Sequence, residues 1–435
     1  MITAASTKTD YISDLQEARR RTLALVADLD DEQMIGPRLQ IVNPLRWEIG
    51  HVAWFQEYWV LRYVCGRQPI LANGDALYDS AKVAHDMRWD LPLPTKSETI
   101  AYMTQVADEI SRQFGAGGSD DRPSSAAYFL ALALFHEDMH GEAITYTRQT
   151  LACRAPRLTI ADDGHADNQL LVQDVAGDAF VRGGSFIAGN TSEHGFVFDN
   201  EQQPFKVRVE PFRISRTATT NGEFARFVED GGYQRRELWS DEGWAWREAT
   251  RATHPVYWNR DNGRWFRRNF DQIVPLEEHA PLLHVNWYEA EAFCRWSNRR
   301  LPTEFEWEMA ASCEPNSSRK RRLPWGDEEP TAARANLDSR NLGIKDVRAL
   351  PAGDSAFGCR QMIGNVWEWT ASDFTPYPGF VAGPYKEYSE PWFGNHKVLR
   401  GGCWATRSRL ISNTYRNFYL PDRRDVWAGF RTCAC

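Results

Sequence analysis

The feature that most restricts the fold of this chain is a change of pattern partway along it. Up to about residue 155 the apolar residues recur at helical spacing. From about Phe180 they fall into short alternating runs broken by glycines, aromatics and long irregular stretches. A chain of 435 residues has room for two or three cores. The expected class is therefore α+β in two domains: a helical bundle over 1–155, a linker over 156–178 and a second, strand-bearing domain over 179–435. No internal period of repeat length runs through either half.

Within the first half, Ser13–Leu29 carries Leu15, Leu23, Leu25 and Val26 at helical spacing. Asn43-Pro44 has the form of a helix start, with Asn as cap and Pro in the first turn, leading into Leu45–Tyr63. Ser97–Phe114 is amphipathic, and Ser124-Ser125 opens a run to about Leu151. Four such helices predict an up-and-down bundle, an architecture that builds metal sites between facing helices. In the second half Arg182–Phe186 reads as a strand followed by a turn and Phe205–Val209 as a strand. Asn221–Phe227 and Trp287–Trp296 read as short helices. The 18 Trp and 15 Tyr can pin an irregular fold or wall a pocket for a cationic ligand.

A net charge of −8 provides no basic field for nucleic acid or an anionic membrane. No apolar run approaches the roughly 18 residues of a membrane span. Met1–Asp10 has no apolar leader segment, so a cytoplasmic protein with reduced thiols is expected. Of the eight cysteines none forms a CxxC pair. Cys433 and Cys435 are too close for an ordinary disulfide, and Cys403 stands apart from them.

His136 and His140 lie four apart in Phe135-His136-Glu137-Asp138-Met139-His140, so their imidazoles leave one helix face side by side. His51, in another helical stretch, is the candidate third ligand. Three imidazoles on one metal leave positions open for reaction. The same hexapeptide satisfies the HExxH pattern of zinc peptidases, with Glu137 as general base. Nothing else in the chain supplies what such a peptidase needs. Glu137 and Asp138 point away from the histidine pair and are read as supporting or surface groups. His85, His165, His194, His254, His279, His284 and His396 have no partner at ligand spacing. Trp367 and Trp369 read as core.

Eight phrases of the second half, in order, resemble the formylglycine-generating-enzyme (sulfatase-modifying-factor) domain, a compact variant of the C-type lectin fold. They are Arg182–Phe186, Thr220–Phe224, His284–Trp287, Arg300–Glu308, Pro324–Asp327, Gly364–Thr370, Leu399–Gly402 and Gly429–Arg431. The copper-holding cysteine pair of true formylglycine generators is absent, since Cys403 has no second cysteine until Cys433. The first half, through Trp47–Phe55 and His136–Glu142, resembles the DinB-like bundle that precedes this domain in the ergothioneine-type sulfoxide synthases. That resemblance implies a mononuclear non-haem Fe(II) on His51, His136 and His140, with hercynine, a chalcogen donor and O2 as substrates. It further implies Tyr377 as the residue that supplies a proton or hydrogen atom. Asn417 and Phe418 would hold the carboxylate and trimethylammonium of hercynine, with Tyr419 and Arg423 beside them, and Arg88, Trp89 and Met139 would lie on the donor side.

This chain departs from the mycobacterial-type pattern on that donor side. Tyr419 stands where an acidic residue is expected and Met139 where a glutamine is expected. The Ala76–Asp90 stretch offers Arg88 in place of an arginine-rich loop. It resembles the selenoneine synthase branch, whose donor is a selenosugar, to be met by Asp79, Asp86, Trp89 and Tyr419. Selenium is the favoured expectation, and a thiol such as γ-glutamylcysteine or cysteine is the alternative. A lectin-like binding module without iron is the reading from a different class.

Overall fold

Capping chemistry sets the helix starts in the computed structural model, which describes residues 10–115, 125–158, 175–191, 195–315 and 319–435. α1 (Tyr11–Val26) is capped by Asp10, whose carboxylate accepts from Ser13 N. α2 (Asp31–Ile35) opens on an Asp30/Gln33 capping box. α3 (Leu45–Gln56) begins after Pro44 without a side-chain cap, and the expected cap, Asn43, has its amide bonded to Glu48 instead. The predicted Leu45–Tyr63 run is continuous, but Glu57–Val64 winds as a π-helix. Such widened turns recur at functional sites. α4 (Gly74–Tyr78) is short. α5 (Lys96–Phe114) starts one residue before the expected Ser97, because Thr95 and Glu98 form its capping box. α6 (Ala126–Thr150) carries the histidine pair. Ser124, and His165 and His194 among the histidines, lie outside the described residues.

The chain divides into two compact units, Met1–Leu151 with Ala155–Thr159, and Ala152–Arg154 with Ile160–Cys435. In the first, α6 packs on α1 and α3, and α5 packs on the same two helices. One buried guanidinium joins all four. Arg19 Nε donates to Glu137 Oε1 at 2.9 Å and Nη2 to Gln56 Oε1 at 2.7 Å, and Gln56 Nε2 donates to Glu137 Oε2 at 2.6 Å. Arg19 Nη1 also reaches the Met103 carbonyl on α5.

The second unit is built on two four-stranded sheets with short helices around them. In one, Asp178–Val181 pairs with Phe212–Ser215, which pairs with Cys433–Ala434, which in turn pairs with Arg299–Arg300. In the other, Lys397–Arg400 lies between Asn417–Tyr419 and Trp367–Asp373, with Ala428–Gly429 parallel to the last. Phe205–Val209 is a strand as expected, paired with Gly184–Ala188. The Arg182–Phe186 phrase is reversed from its reading: the turn comes first, at Gly183 with φ 68°, and the strand follows. A Cβ at Gly183 would meet the Val209 carbonyl at 2.4 Å, so the turn needs glycine there. The helices at Asn221–Glu229 and Trp287–Trp296 match their predicted positions, each on a capping box.

Trp367 and Trp369 are core, as expected. Between them Glu368 accepts from Trp307 Nε1 at 2.7 Å and from Arg431 Nε at 2.6 Å. These bonds join three of the phrases that looked separate in the sequence. Burial pushes the Cys433 thiol up to about 12, so Cys433 is poorly set up as a thiolate ligand. No described helix is long and apolar enough to cross a membrane.

Candidate metal centre

The site is written along one face of α3. Trp47, His51 and Phe55 follow each other at four-residue intervals and so stand in a row. The Trp47 ring stacks on His51 at 4.8 Å and 8°. Phe55 stacks on His136 of α6 at 3.6 Å and 7°. One aromatic from α3 thus fixes the plane of a histidine on each helix. His51 lies 5.0 Å from both His136 and His140, and those two are 4.4 Å apart, ring centre to ring centre.

The outer nitrogens are fixed as well. His51 Nδ1 donates to the Tyr78 carbonyl at 2.7 Å, and Trp47 Nε1 donates to the Leu77 carbonyl at 2.7 Å. Both acceptors are carbonyls at the end of α4 that the helix leaves unused. His140 Nδ1 donates to Glu48 Oε1 at 2.5 Å. A carbonyl and a carboxylate only accept, so both rings carry their proton on Nδ1 and turn a lone pair on Nε2 inward. Gly50 must be small, because a Cβ there would lie 2.3 Å from the Tyr78 ring that positions this carbonyl.

Burial holds two of the ligand rings, those of His51 and His136, neutral. His51 is pushed down to about 3, by burial first and by His140 second. His136 is lowered well below the usual histidine range for the same reasons, with His51 adding to them. Burial works to raise the Glu48 carboxyl, but its interaction and hydrogen bond with His140 outweigh that and hold it low. His51 and His136 are buried, while the His140 side chain is 19% exposed, so the cluster is most open at His140.

One nitrogen from each ring lies within 4.8 Å of the others, and His140 Nε2 is 3.2 Å from His136 Nε2. Imidazoles converging this closely fit a divalent ion of intermediate softness, such as iron, zinc, copper or nickel. Among the described residues no other group of three or more His, Cys, Asp or Glu converges in this way.

Glu137 is not a general base here. It is buried and bound to Arg19 and Gln56, away from the ligand rings, which removes the group a zinc peptidase would need. Asp138 is also buried, so neither carboxylate is a surface group. The carboxylate that orients a ligand is Glu48, which the sequence reading missed. Its signal was its place three residues before His51, within the same matching phrase.

The expected donor-side residues divide by where they sit. Met139, half-buried, precedes His140. Trp89 Nε1 donates to the Gly36 carbonyl at 3.3 Å. Arg88 lies over Trp47 at 3.8 Å and donates to Asn43 Oδ1 at 2.6 Å. Asp79 is bound to Lys82 and Asp86 is exposed.

In the second unit Tyr377 is buried. Its hydroxyl donates to Glu304 Oε2 at 3.0 Å and accepts from Arg400 Nη2 at 3.1 Å. Arg416 lies over both Tyr377 and Phe374, and Phe374 stacks on Phe418 at 3.9 Å, so Tyr377 and Phe418 share one neighbourhood. Asn417 Oδ1 accepts from Phe418 N. Arg423 lies over the Tyr419 ring and forks onto Asp425.

Two family models match the chain: the DinB superfamily over residues 14–144 and the sulfatase-modifying factor enzyme 1-like domain over 167–434. The hercynine oxygenase of Mycolicibacterium thermoresistibile is 36% identical over 438 residues, covering 98% of this chain and 94% of that protein. The hercynine oxygenase of Mycobacterium tuberculosis is 36% identical over 420 residues, covering 96% of each. The formylglycine-generating enzyme of Streptomyces coelicolor is 30% identical over 297 residues, covering 59% of this chain and 88% of that protein.

Proposed function

The chain belongs to the hercynine oxygenase family, and on that premise we propose that it is an Fe(II)- and O2-dependent enzyme joining the sulfur of a thiol to C2 of the hercynine imidazole, as a sulfoxide. The observation that carries this reading is the convergence of His51, His136 and His140 in a chain whose relatives match it over nearly their whole length. The selenosugar donor expected from the Ala76–Asp90 stretch finds no support in these relatives. The thiol donor, the alternative in the sequence reading, is the one adopted.

The balance is simple. Hercynine gives up its C2 hydrogen and the thiol its S–H hydrogen. One oxygen atom of O2 ends in the sulfoxide and the other leaves as water with those two hydrogens. Bound Fe(II) would supply Lewis acidity that favours the thiolate, and a redox path to O2. The protein's own part begins with His51 and His136, which burial keeps neutral, so that they need not lose protons to bind metal. Tyr78 and Glu48 hold His51 and His140 in the required tautomer. Tyr377 is proposed as the donor of a proton or hydrogen atom. Burial above all keeps its hydroxyl protonated, with its pKa well above the usual phenol range. Phe418 and Asn417 are proposed to receive the trimethylammonium and carboxylate of hercynine.

The test is anaerobic loading with Fe(II), then O2 and hercynine with γ-glutamylcysteine, cysteine or a selenosugar in competition, and products identified by mass. A thiol-derived sulfoxide is expected, and conversion of the selenosugar alone would restore the selenium reading. Tyr377→Phe is expected to keep iron and lower turnover by roughly 10²–10⁴-fold, the usual worth of a positioned acid. Unchanged turnover would remove Tyr377 from the chemistry.

A further inference from the structure

Two chains of contact run outward from the histidine cluster and meet at one residue. From His51 the first passes to the Trp47 ring, stacked at 4.8 Å, and on to the Arg88 guanidinium, which lies 3.8 Å over that same indole. From His140 the second passes to Glu48 Oε1 at 2.5 Å. Its other oxygen, Oε2, accepts from Asn43 Nδ2 at 2.6 Å, and Asn43 Oδ1 accepts from Arg88 Nη1 at 2.6 Å. Arg88 Nη2 is further tied to the Val83 carbonyl at 3.3 Å.

We propose that Arg88 is a positioning residue for the metal centre, closing a belt through Asn43 and Glu48 that sets His140 and through Trp47 that sets His51. This rests on the metal-centre reading above and changes the part expected for Arg88. Its planar fork and face are engaged in aligning ligands, so it is not the group that grips a donor carboxylate. Planarity is the essential property, because the same side chain must stack flat on an indole and present an N–H to an amide oxygen. Lysine keeps the charge and can donate an N–H, but it has no planar group to stack flat on the indole while doing so. Asn43 is equally specific: its amide donates to Glu48 and accepts from Arg88, which no carboxylate or alkyl side chain can do at once.

The test uses the full chain and measures Fe(II) affinity by anaerobic competition with a chromogenic chelator, with Co(II) absorption as a second probe of ligand geometry. Arg88→Lys and Asn43→Ala are each expected to weaken Fe(II) binding by roughly 10–100-fold, the usual effect of removing a ligand's outer partner. Because both act through one connected belt, the double variant should be weaker than the worse single by no more than about twofold, whereas independent sites would multiply. The Co(II) bands should shift in the variants, and KM for the thiol at saturating iron should stay near wild type. Circular dichroism and thermal midpoints close to wild type identify a folded protein, and isosteric Glu48→Gln provides a third member of the belt with the same expected loss. Fe(II) affinity unchanged in Arg88→Lys, with a raised thiol KM, would overturn the proposal in favour of donor binding. Multiplicative effects in the double variant would also overturn it. A wild-type chain that binds no Fe(II) would instead sink the metal-centre reading itself.

Discussion

His140→Ala is expected to abolish turnover and to lower Fe(II) affinity by more than the roughly 10–100-fold that loss of a ligand's outer partner costs. His140 is the ligand whose removal disturbs the interior least, since its side chain is the partly exposed one of the three. Truncating it takes away one of three donors and leaves Glu48 its hydrogen bond from Asn43. His51 and His136 keep their stacking on Trp47 and Phe55, so the bundle should stay folded with two imidazoles still in place. Iron content by chelator assay, beside far-ultraviolet circular dichroism, reads the two effects separately. Full iron occupancy in this variant would mean that the ion sits elsewhere.

Glu137→Gln should behave in the opposite way, destabilising the bundle while sparing the site. The change leaves the Arg19 guanidinium, itself buried, without its counter-charge at the crossing of α1, α3, α5 and α6. Breaking a buried pair from one side costs about 3–5 kcal/mol. Whole domains are stable by only about 5–15 kcal/mol. A clear fall in the denaturation midpoint is expected, with Fe(II) affinity of the folded fraction close to wild type, because Glu137 bonds to no ligand ring. A stable variant without activity would instead put Glu137 beside the reacting atoms, as the HExxH pattern suggests.

That pattern illustrates what local sequence carries and what it does not. The i, i+4 spacing of His136 and His140 was enough to anticipate the pair, because helix geometry converts spacing directly into direction, while the choice of His51 as third ligand came from the family resemblance. Spacing also placed Glu137 off the metal face, but could not supply Arg19, more than a hundred residues earlier, as its partner. The same limit explains Asn43. Before Pro44 it has the form of a helix cap, yet its amide goes to Glu48, an interaction decided by where Arg88 arrives from a later turn. Arg88 itself was placed on the donor side by the family resemblance. Only the packed bundle brings it over Trp47. In the second half the order of glycines and aromatics was enough to anticipate the domain. The turn at Gly183 was misplaced by a few residues because the strand that forces it, Phe205–Val209, is distant in sequence. The surroundings of Tyr377, which lies between two prolines in sequence, come from Glu304, Arg400 and Arg416 on three separate segments.

The central claim, a ferrous ion held by three histidines from two helices, is tested most directly by iron-edge X-ray absorption on the anaerobically loaded chain. The expected spectrum shows one iron per chain with imidazole scattering from three nitrogens and light atoms in the remaining positions. Sulfur scattering in the resting protein would contradict the account, as would iron retained at the same stoichiometry when His51, His136 and His140 are all replaced by alanine.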